Sequence, residues 1–194
     1  MATQTASKKT AAAAPITFKV TLYTIGDWLI LRIPKDDSAK LPTRSQVMVA
    51  GTINGHTFSS PLEPDGSWSH WLNIDAAMQK AAQVRAGDTV RGTITPIKEW
   101  SEPDVPADLY HALQADPQLR KLWHDITPLA RWEWIRSTRS TLNPETRKRR
   151  IAVACSKMKS GERRPCCWNR NLCTIPEVSK NGVLLGPANE TKAG

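Results

Sequence analysis

The sequence predicts an α+β protein in which a small closed β-barrel of about six strands precedes a helical C-terminal region. Three observations support this prediction. Residues 15–100 contain short stretches in which apolar and polar side chains alternate, the period of half-buried strands. Residues 107–161 instead contain repeated helix-start signals. Residues 101–106, with Pro103 and Pro106, break both patterns and are interpreted as a domain boundary.

The strand segments of the front half are short and are separated by tight-turn residues. Asn54-Gly55 is a strong hairpin signal between two of them, and Asp75 is the predicted start of a short helix over residues 76–82. A closed barrel is favoured over a sandwich because closure leaves no strand edge exposed. The predicted strands are residues 16–22, 28–33, 47–53, 56–62, 67–74 and 89–97.

Four helices are predicted after the boundary, over residues 107–115, 117–124, 128–139 and 144–161. Three of them have Pro at the first helical position, where a missing N–H costs nothing. Asn143 is the predicted N-cap of the fourth helix, and Glu145 in its first turn matches the helix dipole. The resulting division is a disordered tail (1–14), a β-barrel domain (15–100), a helical region (101–161) and a Cys-containing tail (162–194).

The net charge of +9 is concentrated in the second half of the chain. Residues 131–164 contain eleven Lys or Arg against three Glu, so an anionic partner would meet this part. The partner classes that this charge predicts are nucleic acid and another protein. The candidate anion- or partner-binding residues are Trp134, Arg147, Lys148, Arg149, Arg150, Arg163 and Arg164.

Helical spacing separates the cations of the fourth helix. Arg147 lies four residues before Ile151, on the apolar stripe, so we expect it to face the protein body and pair with a carboxylate or backbone carbonyls. Arg149, Arg150 and Lys157 point elsewhere. For these exposed cations a solvated surface is favoured over a selected anion site, because basic runs are common and weakly specific.

Two tryptophans of the third predicted helix lie on opposite sides of it. Trp132 shares a face with Leu129 and Ile135, so it is predicted to lie in the core. Trp134 either packs under the barrel or forms an exposed stacking surface.

The four cysteines are Cys155, Cys166, Cys167 and Cys173, and no pair has the Cys-x2-Cys spacing of a zinc site. Ordinary free thiols are therefore favoured, with a redox site and a zinc site as the alternatives. Nearby arginines would stabilise a thiolate in the redox case. No cofactor is predicted, and zinc stays the alternative.

The barrel half offers no catalytic constellation. Its histidines, His56 and His70, are interpreted as exposed or hydrogen-bonded residues, and no nucleophile–base pair or phosphate-binding glycine loop is visible. An enzyme that uses a barrel pocket is therefore the least favoured hypothesis. The N-terminus lacks a secretory h-region and no apolar run reaches the length of a membrane span, so we expect the protein in the cytoplasm.

Several segments carry a family resemblance. Trp134-Ile135, followed by the run from Pro144 through Glu145-Thr146-Arg147 to Ile151, resembles the signature segment of the YdeI/OmpD-associated, or bacteriocin-protection, family. The front half resembles the small barrel domain of unknown function that commonly precedes it. The further matching segments are residues 49–55, 60–62, 65–66, 87–90, 105–109, 112–113 and 115–117.

This resemblance implies a bacterial stress- or envelope-linked protein with a closed barrel and a helical tail. It supplies no catalytic residues, because the family has none established. Residues 136–139, Arg-Ser-Thr-Arg, depart from the Ala-Lys that members often have after the Trp-Ile pair. The function expected is that of a non-enzymatic binding protein of the stress- or bacteriocin-protection type. The alternative is a thiol redox or metal-binding protein that acts through its C-terminal cysteines.

Overall fold

A computed structural model describes residues 14–166 and 169–187. The expectations for residues 1–13 and 188–194, and for Cys167 among the candidate thiols, fall outside these ranges.

The strands of the described residues form one large sheet and one small hairpin. Seven strands make an antiparallel sheet in the order β1-β7-β4-β5-β6-β3-β2, and β8 pairs with β9. The strands are β1 Ile16–Thr21, β2 Tyr23–Ile25, β3 Trp28–Arg32, β4 Val47–Ile53, β5 His56–Pro64, β6 His70–Asn73, β7 Thr89–Pro96, β8 Ser179–Lys180 and β9 Val183–Leu184.

The predicted closure of the barrel is wrong. The sheet is curled, but β1 and β2 are its two edges, and no ladder joins them in the described part of the chain. The two edges are consecutive strands separated only by Leu22, where pairing changes from β7 to β3. Two strands can form an antiparallel ladder only if the chain reverses direction between them. β1 and β2 follow each other without such a reversal, so they cannot pair with each other. The three residues of β2 are also too few to show alternation, which is why a seventh strand was not predicted.

Apolar side chains on the inner face of the curled sheet form the first core. Val49, Ile53, Leu62, Val90 and Ile94 are all fully buried there. The helices α1 Lys35–Ser38 and α2 Ala76–Ala82 belong to this half. The side chain of Asp75 accepts a hydrogen bond from the Met78 N–H at 2.8 Å, so the predicted N-cap is present.

The helical region contains α3 Ala107–Gln114, α4 Pro117–Asp125, α5 Pro128–Arg139 and α6 Pro144–Lys159. Each helix begins where the sequence predicts it. Asn143 caps α6 by accepting a hydrogen bond from the Thr146 N–H at 2.9 Å. Buried side chains of all four helices, among them Leu109, Leu119, Trp134 and Ile151, form a second core.

The segment that follows α6 returns to the sheet. Cys173, Ile175, Val178 and Leu184 pack against Ile30 and Trp71 in a third cluster. The Leu184 N–H donates to the carbonyl of Asp65 at 2.8 Å. Val183 and Leu184 therefore form a short final strand that packs back on the sheet half.

Candidate anion-binding groove

A groove of about 410 Å³ lies between α5, α6 and the residues that follow α6; we call it the basic groove. Three of its lining residues are cationic, two carry hydroxyl groups, one is a thiol, and none of the described ones is acidic. They are Arg149, Arg150 and Lys157, then Ser137, Thr146 and Cys166, and finally Trp134, Val153, Ala154 and Pro165.

One face of α6 supplies most of this lining. Thr146, Arg150, Val153 and Lys157 follow one another at spacings of four, three and four residues, which places them on one side of a helix. The adjoining stripe, with Ile151, Ala154 and Met158, is buried in the second core. Burial of that apolar stripe therefore orients the basic face towards the groove.

Arg147 is turned away from the groove and holds α6 to α3. Its Nε donates to Asp108 Oδ2 at 2.5 Å and its Nη2 donates to Asp108 Oδ1 at 2.8 Å. Nη1 donates to the Thr138 carbonyl at 3.3 Å. The Arg147 guanidinium keeps the pKa of Asp108 below its ordinary value. The expectation that Arg147 faces the body and pairs with a carboxylate is confirmed by this contact.

The other cations of the run have no carboxylate partner among the described residues. Lys148 and Arg149 are exposed and form no ion pair or hydrogen bond within that part of the chain. Arg150 donates through Nη1 to the Ser137 carbonyl at 2.9 Å and to the Ser140 hydroxyl, both neutral groups. The positive charge of Arg149 and Arg150 is therefore not compensated by the groove itself.

Trp132 does not lie in the core, and Trp134, for which two placements were open, is the buried tryptophan of α5. Trp134 is 2% exposed, lies in the second core, and donates through Nε1 to the Arg163 carbonyl at 3.3 Å. Trp132, predicted to be core, is partly exposed and donates through Nε1 to the Ser101 carbonyl at 2.9 Å. Trp134 thus forms part of the groove wall, and the structure does not present it as an exposed stacking surface.

Arg163 and Arg164 are paired with carboxylates. Arg163 bonds Asp125 Oδ2 at 2.5 Å in an exposed pair. Arg164 donates through Nε to Oε2 of Glu133 at 2.5 Å, and through Nη2 to Oε1 at the same distance. Glu133 is buried, and its carboxylate raises the pKa of Arg164. Both arginines connect the segment after α6 to the helices and do not line the basic groove.

The three described cysteines lie in different surroundings and are free thiols. Cys155 is half-buried and Cys173 is buried, and burial raises the pKa of both. Cys166 is exposed, lines the basic groove and accepts a hydrogen bond from Lys157 Nζ at 2.8 Å. No group of three or more His, Cys, Asp or Glu among the described residues is arranged to hold a metal ion.

His70 is a structural residue of the sheet half. It is fully buried, with Nδ1 2.8 Å from Ser38 Oγ and Nε2 2.8 Å from the Ser45 carbonyl. A carbonyl only accepts, so Nε2 carries the proton of the neutral ring and Nδ1 accepts from Ser38. Burial lowers the pKa of His70, which keeps the imidazole neutral. This agrees with the interpretation of His70 as a hydrogen-bonded barrel histidine.

The sequence did not predict that Lys157 and Cys166 lie together in the basic groove. Lys157 was not among the candidate anion-binding residues, and Cys166 was considered only with the other thiols. The spacing from Thr146 through Arg150 to Lys157 is a signal that could have grouped the α6 face. No pattern in the sequence indicates that Cys166 lies next to Lys157, because their proximity depends on how the chain turns after Gly161.

The arrangement is suited to binding an anion. The guanidinium groups of Arg149 and Arg150 line a concave surface without a carboxylate partner among the described residues, beside the Lys157 ammonium, whose charge Glu162 partly offsets at 3.6 Å. Among the helices of the described residues, none is long and apolar enough to cross a membrane.

Family models match two consecutive parts of the chain. Residues 18–94 match the domain of unknown function DUF1905, and residues 102–161 match the domain described as bacteriocin-protection, YdeI or OmpD-associated. A search of the curated proteins finds no match. The families and their order agree with the resemblance inferred from the sequence. The chain therefore contains a DUF1905 domain followed by a YdeI/OmpD-associated domain.

Proposed function

We propose that this protein is a non-enzymatic binding protein that holds an anionic macromolecule, a nucleic acid, in the basic groove. The proposal rests on the positive charge of the basic groove. Arg149, Arg150 and Lys157 line the groove together, and none of its described lining residues is a carboxylate. Guanidinium groups that have no carboxylate partner can bind phosphate oxygens with good geometry. If these cations formed only a solvated helix face, they would have no reason to line the same groove.

The mode of binding follows from which groups are accessible. Arg149 and the neighbouring Lys148 are exposed, so a strand seated in the groove can continue across α6. Trp134 is buried, which leaves phosphate contact rather than base stacking as the main interaction. The proposal therefore describes binding that depends little on base sequence and strongly on salt.

A fluorescence-anisotropy titration with labelled single-stranded RNA and DNA over a range of salt concentrations tests this. We expect the triple variant R149Q/R150Q/K157Q to bind more weakly and to reduce the salt slope by about 2, because each lost phosphate contact contributes about 0.7 on single strands. The control is K19Q/R91Q, which removes two exposed cations from the sheet. No binding by the wild type at low salt, or equal loss in the control, would contradict the proposal.

We infer that the physiological role is protection against bacteriocins, which the description of the second matched domain names, or against stress. In this proposal the protein acts in the cytoplasm, and the groove provides the molecular activity behind protection. A survival assay in cells exposed to a bacteriocin should separate the groove variant from K19Q/R91Q. Equal protection by both variants would show that the basic groove is not responsible for protection.

A second candidate function is favoured by the contact between Lys157 and Cys166. An ammonium 2.8 Å from an exposed thiol is an arrangement typical of a reactive cysteine, and it supports a thiol redox function. Mass spectrometry after mild peroxide treatment tests this candidate. Cys166 left unmodified while Cys155 or Cys173 is oxidised would exclude it.

A further inference from the structure

Cys166 differs from the other described thiols in accessibility and in its neighbours. It is exposed at the wall of the basic groove, whereas Cys173 is 1% exposed and Cys155 packs against the second core. Lys157 Nζ donates to its sulfur at 2.8 Å. That hydrogen bond is the main reason why the pKa of Lys157 is raised, so the lysine side chain stays an ammonium. A small reagent that enters the groove would therefore meet Cys166 first among these thiols.

The charge around Cys166 selects which reagents can enter. Lys157 is in contact with the thiol, and Arg149 and Arg150 line the same groove. Glu162 lies 3.6 Å from the Lys157 ammonium and offsets part of its charge. Arg149 and Arg150 have no carboxylate partner among the described residues, so the groove attracts carboxylate-bearing molecules and repels cationic ones. A cavity of about 410 Å³ also lies within the range of small-molecule sites.

We propose that the basic groove admits small anionic disulfides and that Cys166 exchanges with them to form a mixed disulfide. The substrate class is a low-molecular-weight disulfide whose halves carry carboxylates, such as glutathione disulfide. The proposal rests on the anion site of the proposed function, and it adds a covalent step and a substrate class to that site.

The exchange balances without any further oxidant. The Cys166 thiol first releases its proton to solvent, and its sulfur attacks one sulfur of the disulfide. A new bond forms between Cys166 Sγ and that sulfur, and the original sulfur–sulfur bond breaks. The departing half leaves as a thiolate and takes up a proton from solvent. Cys166 is oxidised and the departing half is reduced, and an excess of the free small thiol reverses the reaction.

The experiment compares an anionic and a cationic disulfide on the full chain. Cys167 is replaced by serine in every version, because it is adjacent to Cys166 and would carry adducts of its own. Intact-mass spectrometry follows the rate of adduct formation with glutathione disulfide and with cystamine. The same rates in urea-unfolded protein give the intrinsic ratio of the two reagents. We expect the folded protein to raise the anionic-to-cationic ratio about tenfold above the unfolded value.

Variants assign the effect to the groove. C166S should lose the fast adduct, and R149Q/R150Q should bring the ratio down towards the unfolded value. K19Q/R91Q should keep the ratio of the wild type, and circular dichroism checks that all variants fold. A ratio equal to that of the unfolded chain, or an adduct that forms first on Cys155 or Cys173, would overturn the proposal.

The outcome is separable from that of the proposed function. A raised ratio in a protein that binds no RNA or DNA would support disulfide exchange and remove the nucleic-acid partner. Nucleic-acid binding with a ratio equal to that of the unfolded chain would do the reverse.

Discussion

Arg136 Nε donates to Glu63 Oε2 at 2.6 Å and so joins α5 to β5 across 73 residues of sequence. The Arg136 side chain is 1% exposed. It also donates to the carbonyls of Arg170, at 3.1 Å, and of Leu172, both in the segment that returns to the sheet. One buried guanidinium therefore connects the sheet, the helices and the C-terminal segment.

Replacement of Glu63 by glutamine should destabilise the whole protein. Arg136 would keep its buried charge and lose its carboxylate, and removing one partner of a buried pair costs about 3 kcal/mol or more. We expect E63Q to lower the free energy of unfolding by about 3 kcal/mol in urea denaturation at pH 7. The matched control is E99Q, at an exposed glutamate, which should change it by less than about 0.5 kcal/mol. Similar values for both variants would contradict a role for the buried pair.

Replacement of Arg164 should destabilise the protein more than replacement of its neighbour Arg163. Arg164 neutralises Glu133, whose side chain is 3% exposed, and Arg170 at 3.6 Å would remain as a weaker partner. We expect R164Q to lower the free energy of unfolding by about 2 kcal/mol. R163Q breaks only exposed contacts, with the carboxylate and the carbonyl of Asp125, so its loss should be clearly smaller. Thermal or urea denaturation of the two variants measures the difference, and equal losses would refute it.

Asp108 should contribute stability that is lost in acid. Arg147 holds the pKa of folded Asp108 below the ordinary value of 3.8, so the unfolded chain binds the proton more readily. The contribution is complete above the ordinary pKa and is lost as pH falls through the lowered folded value. Because the pair is partly exposed, we expect D108N to cost about 0.5–1 kcal/mol at neutral pH and much less near pH 2. D104N, at an exposed aspartate, is the control and should show no such pH dependence.

His70 should make the protein less stable at mildly acidic pH. Burial lowers the pKa of the folded imidazole below 6.5, so protonation favours the unfolded chain. Its contribution is complete above the unfolded pKa of about 6.5 and is lost as pH falls through the lowered folded value. Urea denaturation between pH 7.5 and 5 should show this decline, and H70Q should show a smaller one. The same slope in both proteins would assign the decline to other groups.

Local sequence patterns were sufficient for most elements. The span Val47–Ile53 was predicted with its observed bounds, and α5 was predicted from Pro128 to Arg139. These elements have strong local causes, namely apolar alternation in the strand and a capped, Pro-started first turn in the helix. The closed barrel was wrong because closure depends on how the two ends of a sheet meet, which is not a local property.

The candidate site was predictable only in part. Helical spacing placed Arg147 on the buried side, since Ile151 one turn later lies in the second core. The same reasoning misplaced Trp132 and left Trp134 undecided, because a helix packed by several neighbours buries more than one face. Lys157 and Cys166 are nine residues apart, and their contact depends on the turn at Gly161.

The sequence by itself determined the α+β class, the order of the elements and the concentration of positive charge around α6. These depend on side-chain periodicity, caps and composition, which act over a few residues. Only the tertiary structure decided which cations are neutralised. Asp108 and Glu133 are brought to Arg147 and Arg164 by packing of the helices, whereas Arg149 and Arg150 are left at the groove without a carboxylate partner among the described residues. Ion pairing requires groups within about 4 Å, and such distances between remote segments are set by the fold alone.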